Sequence, residues 1–216
     1  MKNKITHIGL LVLCVFMLSL NACKHEPVAP IIDESTIPSN ICFNEEILPL
    51  MQSNCAYSGC HAGNQDPDLS TYNGIMDLVK PGNPKGSRLY EFAIGSQMPP
   101  SPKTPLNLQQ VTLIYGWIKQ GALNNTCGCD TNIYTFSGSV LPTILNFCSG
   151  CHSGATPSGN INLQNYSQIV YAIDNKGLYG KITGASDPMP PPPSGLMSAC
   201  RILQIKKWID AGKPNN

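Results

Sequence analysis

The feature that most restricts what this chain can fold into is an internal repeat. His61 and His152 stand 91 residues apart, and the same interval separates Met98 from Met189, Trp117 from Trp208 and Gly121 from Gly212. Leu48-Pro49 and Leu141-Pro142 are offset by 93, as are Cys55 and Cys148, so the two-residue difference is taken up between the first Cys and the His of each copy. A fixed period of this length means one structural unit written twice. It divides the body of the chain into residues 41–127 and 128–216, each long enough for one small core.

The two copies share an order of elements. A short helix begins near Pro49 or Pro142, where proline suits the first helical turn. Tyr166, Ile169, Val170 and Ile173 fall at i, i+3, i+4 and i+7 and predict a middle helix; Leu69, Tyr72, Ile75 and Met76 do much the same in the first copy. A Pro- and Gly-rich loop follows, carrying Met98 or Met189. Val111, Ile114, Tyr115 and Ile118 then line one face of a closing helix that Gly121 ends, and Ile202, Ile205 and Ile209 with Gly212 repeat it. Nineteen Gly and nineteen Pro point away from a helix-dense bundle. The expected fold class is mainly α, with two tandem domains of short helices joined by long Pro/Gly-rich loops.

Chemistry enters at Cys148-Ser149-Gly150-Cys151-His152. Two thiols, two spacer residues and an adjacent imidazole are the attachment signature of a covalently bound haem. Each thiol can add to one vinyl group of the porphyrin, and the histidine that follows is then placed under the iron as its proximal ligand. Upstream, Cys55-Ala56-Tyr57-Ser58-Gly59-Cys60-His61 has four residues between its thiols. Its His, Met and Trp stand in register with those of the second copy, so the longer spacer reads as an extra loop in a second site of the same kind. Cys55, Cys60, Cys148 and Cys151 are therefore expected to carry two haem c groups. Zinc needs about four N/S ligands, and each copy repeats only two Cys and one His. A disulfide across two intervening residues would close a very small ring and leave the adjacent His unexplained.

The sixth iron ligand follows by counting. The chain has four His, and His7 and His25 lie before the repeated body, leaving only His61 and His152. Unless His25 folds back, a Met or an open position completes each site. Met98 and Met189 each follow the motif His by 37 residues across loops of otherwise different sequence, and Pro99-Pro100 and Pro190 to Pro193 would stiffen the strap that presents the thioether. The alternative is that both are loop residues packing on an apolar edge. Met51, Met76 and Met197 fit no repeated spacing and read as packing. Trp117 and Trp208 read as core aromatics. Tyr90 and Tyr179 fall at near-equivalent places, where they could pack or bond a haem propionate.

The start of the chain concerns compartment. Met1 to Lys4 carries two lysines and Ile8 to Leu20 is a mostly apolar run of thirteen residues, the layout of a secretory signal and short for a membrane span. Leu20-Asn21-Ala22-Cys23 resembles the lipobox of bacterial lipoproteins, which implies a signal peptide over 1–22 and lipid attachment at Cys23; an ordinary secretory signal with a spare Cys is the alternative. Residues 23–40, with three prolines and no apolar period, read as a flexible tether. The protein is thus expected in the periplasm or on the cell surface, held to a bacterial membrane by its lipid. A net charge of +1 with 12% charged residues suggests no nucleic-acid partner. In an oxidising compartment the remaining Cys42, Cys127, Cys129 and Cys200 imply two disulfides with three connectivities open. The preferred one closes each copy on itself, Cys42 with Cys127 and Cys129 with Cys200.

Over roughly residues 41–216 these residues resemble the small single-haem cytochrome c fold, present twice. The Cys-Phe start, the Leu-Pro before each motif, the Met-Pro-Pro loop and the Trp-Ile ending in Gly look like tandem cytochrome c modules of exported bacterial lipoproteins. In that family the motif His is the proximal iron ligand and a loop Met the distal one, which implies His61 with Met98 on one iron and His152 with Met189 on the other. The resemblance implies electron transfer between redox protein partners, with no substrate chemistry. A di-haem peroxidase or the haem subunit of a dehydrogenase is the competing reading, and a haem-free lipoprotein binding a surface partner is a third.

Overall fold

A computed structural model of the chain describes residues 29–57, 59–63, 65–95, 97–185, 187–191 and 197–216. The expected signal peptide, Cys23 and His25 lie outside the described residues, as do Pro192 and Pro193. Among the described residues the protein is mainly α, without a β-strand, and no helix is long and apolar enough to cross a membrane.

The first half contains α1 (Leu48–Asn54), α2 (Tyr72–Met76), α3 (Arg88–Ile94) and α4 (Leu108–Lys119); the second contains α5 (Leu141–Cys148), α6 (Tyr166–Lys176), α7 (Leu178–Ile182) and α8 (Ala199–Asp210). The helices at Pro49 and Pro142 start earlier than proline placement predicts, each led by a π-helical turn, Phe43–Ile47 and Phe136–Val140. These turns bury Phe43 and Phe136, which the proline signal alone does not reveal. In the first half the middle helix covers only Tyr72–Met76, capped by Thr71, and Leu69 is buried in the turn before it. α6 runs its expected length from an Asn165 cap to Gly177, whose φ of 64° ends it in the left-handed region. The closing helices start at Asn107, in a capping box with Gln110, and at Ser198.

Two buried apolar clusters form, one from residues of 41–122 and one from residues of 136–208. Their centres are built alike. Trp117 and Trp208 are fully buried, and each lies 5.6 Å from the phenylalanine of its π-turn, Phe43 or Phe136. Each of those phenylalanines meets a tyrosine edge-on, Tyr72 at 5.0 Å and Tyr166 at 5.1 Å. A buried indole N–H must find an acceptor. Trp117 Nε1 donates to the Leu123 carbonyl at 3.0 Å and Trp208 Nε1 to that of Pro214 at 2.8 Å, six residues on in both cases. The chain reaches those acceptors by turning sharply at Gly121 (φ 97°) and Gly212 (φ 86°), where a Cβ would be strained.

Both preferred disulfides are present, Cys42–Cys127 with Cα atoms 5.7 Å apart and Cys129–Cys200 at 6.0 Å. The stretch read as a tether is shorter than its composition suggests. Asp33 caps a turn at Glu34–Thr36, Glu34 pairs with Lys119 at 2.7 Å and accepts from the Tyr115 hydroxyl, and Gln120 donates to the Pro38 carbonyl. Ile37 packs so closely on Gly116 that a Cβ there would strike it. This segment is laid along α4.

The halves meet through α1 and α5. Ser53 Oγ donates to the Asn146 carbonyl, and these two positions are equivalent at the offset of 93. Gln110 Nε2, from α4, donates to the Leu145 carbonyl and to Ser149 Oγ, both at 3.1 Å. From the other side, Ser198 Oγ donates to Glu45, and Arg201, the counterpart of Gln110, lies near Glu46.

Candidate functional site

A cavity of about 660 Å³ opens in the first half, inside the range of pockets that hold small molecules and cofactors. Its wall contains Cys55, Cys60, His61 and Met98 together with Met51, Leu69, Leu89, Phe92 and Ile114. The four residues singled out from the first copy thus share one cavity. Met51, read as packing, is buried and also forms part of that wall.

Each element of the site has a local cause. α1 ends at Asn54 and delivers Cys55, whose carbonyl accepts from His61 N–H at 3.0 Å. In the second half α5 delivers Cys148, whose carbonyl accepts from His152 N–H at 2.9 Å. The longer spacer therefore does not displace the histidine from the first cysteine. The two extra residues are absorbed in a turn closed by Cys60 N–H on the Tyr57 carbonyl at 2.9 Å. After each histidine the chain is fastened by a leucine, Leu69 N–H on the His61 carbonyl at 2.8 Å and Leu163 N–H on that of His152 at 2.9 Å.

The imidazoles are oriented identically. His61 Nδ1 lies 3.2 Å from the Pro67 carbonyl oxygen, and His152 Nδ1 lies 3.2 Å from that of Ile161. A carbonyl only accepts, so Nδ1 is the donor, which leaves Nε2 as the nitrogen that could bind a metal. Backbone capture of the second ring nitrogen is how metal-binding histidines are commonly aimed.

Burial pushes the thiols of Cys55 and Cys148 up to about 12, so at neutral pH both are protonated and poor nucleophiles. None of the four motif cysteines is in a disulfide.

Met98 lines the cavity and is 39% exposed; Met189 is half-buried, its loop tied to α7 by Met189 N–H on the Lys181 carbonyl at 3.0 Å. Among the described residues no three His, Cys, Asp or Glu side chains gather to hold a metal ion. A His/Met pair contributes only one residue of those types and forms no such cluster.

The charged residues of the cavity wall are Asp66, Asp77 and Arg88. Arg88, one of two arginines in the chain, stands 5.4 Å over the Phe92 ring. Tyr90 packs, the role preferred for it from the sequence, buried against Tyr115 with ring centroids 5.4 Å apart. The available signal was register, since Arg88 and Tyr179 are 91 residues apart. Comparison with protein-family models, with curated proteins and with solved structures gives no match to this chain.

Proposed function

We propose that this chain is a di-haem c-type cytochrome, exported and lipid-anchored through Cys23, that carries electrons between redox protein partners. The observation that carries the reading is the repeated imidazole geometry: in both halves a histidine directly after a thiol pair is held by a backbone carbonyl on Nδ1, leaving Nε2 to coordinate. The donor set suits the group. Cys55 and Cys60 would form its thioethers in the first half and Cys148 and Cys151 in the second, and His61 with Met98 and His152 with Met189 would hold the two irons.

When bound, the haem iron supplies a one-electron redox change. The protein orients the imidazole through the Pro67 or Ile161 carbonyl, and in the first half Met51, Leu69, Leu89, Phe92 and Ile114 line the cavity and would give the group an apolar surround. Arg88 offers a cation to the carboxylate arms of the porphyrin in the first half. A thioether from Met98 and Met189 would fill the remaining position and leave no place for a substrate, which favours a carrier over a peroxidase.

The test is the denatured mass of protein matured in a host competent for cytochrome c assembly. Two haems should remain attached. One haem would show that the four-residue spacer is not processed, and none would overturn the reading.

A further inference from the structure

The longer spacer of the first motif contributes a side chain that the second motif lacks, and it sits where the two motifs meet. α1 and α5 bring the motifs together, and at Gly150, inside the second motif, a Cβ would land on the Ser53 carbonyl, so the backbones are in direct contact there. The strap after Met98 closes over the same place: a Cβ at Gly154 would strike Thr104, and Lys103 Nζ lies 4.7 Å from the centroid of the Tyr57 ring. Tyr57 also lines the first cavity, together with Cys60. Cys151 directly follows Gly150, whose backbone meets Ser53 and Asn54 at the end of α1, three residues before Tyr57.

We propose that the Tyr57 ring is the bridge between the two cofactor sites, filling the space between the attachment cysteines Cys60 and Cys151, and that electrons cross between the halves at this contact. The inference rests on the di-haem reading and deepens it, because it names the place where the two sites communicate. The exchange would balance by itself, since the electron given up at one site would be taken up at the other while Tyr57 is neither oxidised nor deprotonated. The bridge is the aromatic ring, so Phe serves as well as Tyr.

The first measurement is geometric. In the fully reduced protein, nuclear Overhauser spectra should show cross-peaks from the Tyr57 ring to the β protons of both Cys60 and Cys151; absence of the Cys151 cross-peaks overturns the proposal. The second is kinetic, in a Met189→Ala background with carbon monoxide on the second haem and one electron per molecule. Flash release of the carbon monoxide should give a first-order electron redistribution that is independent of protein concentration. Tyr57→Phe should retain this phase and Tyr57→Ala should lose it. Retention in Tyr57→Ala, or loss in Tyr57→Phe, overturns the bridge. If Tyr57→Ala fails to mature, the cross-peaks of the parent protein decide alone. Denatured mass separates the two readings: protein without haem sinks the cytochrome proposal, whereas two haems with an unaffected Tyr57→Ala sink only the bridge.

Discussion

Replacing Cys129 and Cys200 together by serine should melt the second half while largely sparing the first. The bridge joins residues 71 apart in sequence. In the chain-entropy account, opening a loop of that length releases about 4.4 kcal/mol of unfolded-state freedom at room temperature. A unit of fewer than ninety residues carries about 4–13 kcal/mol in total, so the loss removes a third of its stability or more. For a unit of this size each kcal/mol moves the midpoint by about 4–8 °C, which places the second half roughly 18–35 °C lower. The first half keeps its own bridge and cluster, and loses only what crosses the contact between α1 and α5, about 1 kcal/mol for each hydrogen bond. Amide exchange read by mass spectrometry resolves the two, because peptides from 136–210 and from 43–119 report separately. A cost under about 1 kcal/mol would refute the entropic estimate. Loss of protection in both halves at one midpoint would refute their independence.

Two further outcomes are expected. Met189→Ala should open the second iron to carbon monoxide, lower its potential through loss of the thioether, and remove about half of the far-red ferric band of sulfur-to-iron ligation; an unchanged absorption spectrum would show that Met189 is no ligand. Glu46 accepts the Cys42 N–H at 2.8 Å, and burial raises its carboxyl above the ordinary 4.5. The folded state therefore holds this proton more tightly than the unfolded one, so the stability it contributes is full below 4.5 and is lost as pH rises through the raised value. Glu46→Gln keeps an acceptor without the charge, so its melting temperature should match the parent in acid and exceed it at neutral pH; a difference that does not vary with pH would refute this.

The repeat made much of this molecule legible before any coordinates. The equal spacings of His, Met, Trp and Gly anticipated the matched clusters, the closing helices and the turns that follow them, because each is built from residues near in sequence. The pairing of Cys42 with Cys127 followed from closing each copy on itself. What stayed hidden depends on one copy touching the other or on a cavity wall. Gln110 reads as an ordinary helix-start residue, and one side chain serves both its own helix, through Oε1 in the capping box, and the second motif, through Nε2. Tyr57 reads as spacer, and only the folded chain brings Lys103 over its ring. Arg88 shares its register position with Tyr179, but the repeat pairs unlike residues there, and a lone cation at the start of a short helix looks like surface. Residues 33–38 have a tether's composition, but Glu34 and Ile37 find partners on α4 that lie some eighty residues away.

The contact between α1 and α5 joins a position to its own counterpart, Ser53 to Asn146. A surface that meets its own copy is self-complementary, and such an association closes after two units, whereas a head-to-tail contact repeats until it forms a ring or a fibre. Here the two units belong to one chain, so closure is reached at every concentration, with no second molecule required. The joining face is thereby consumed inside the molecule, and a further copy cannot add to it to extend a row of sites end to end.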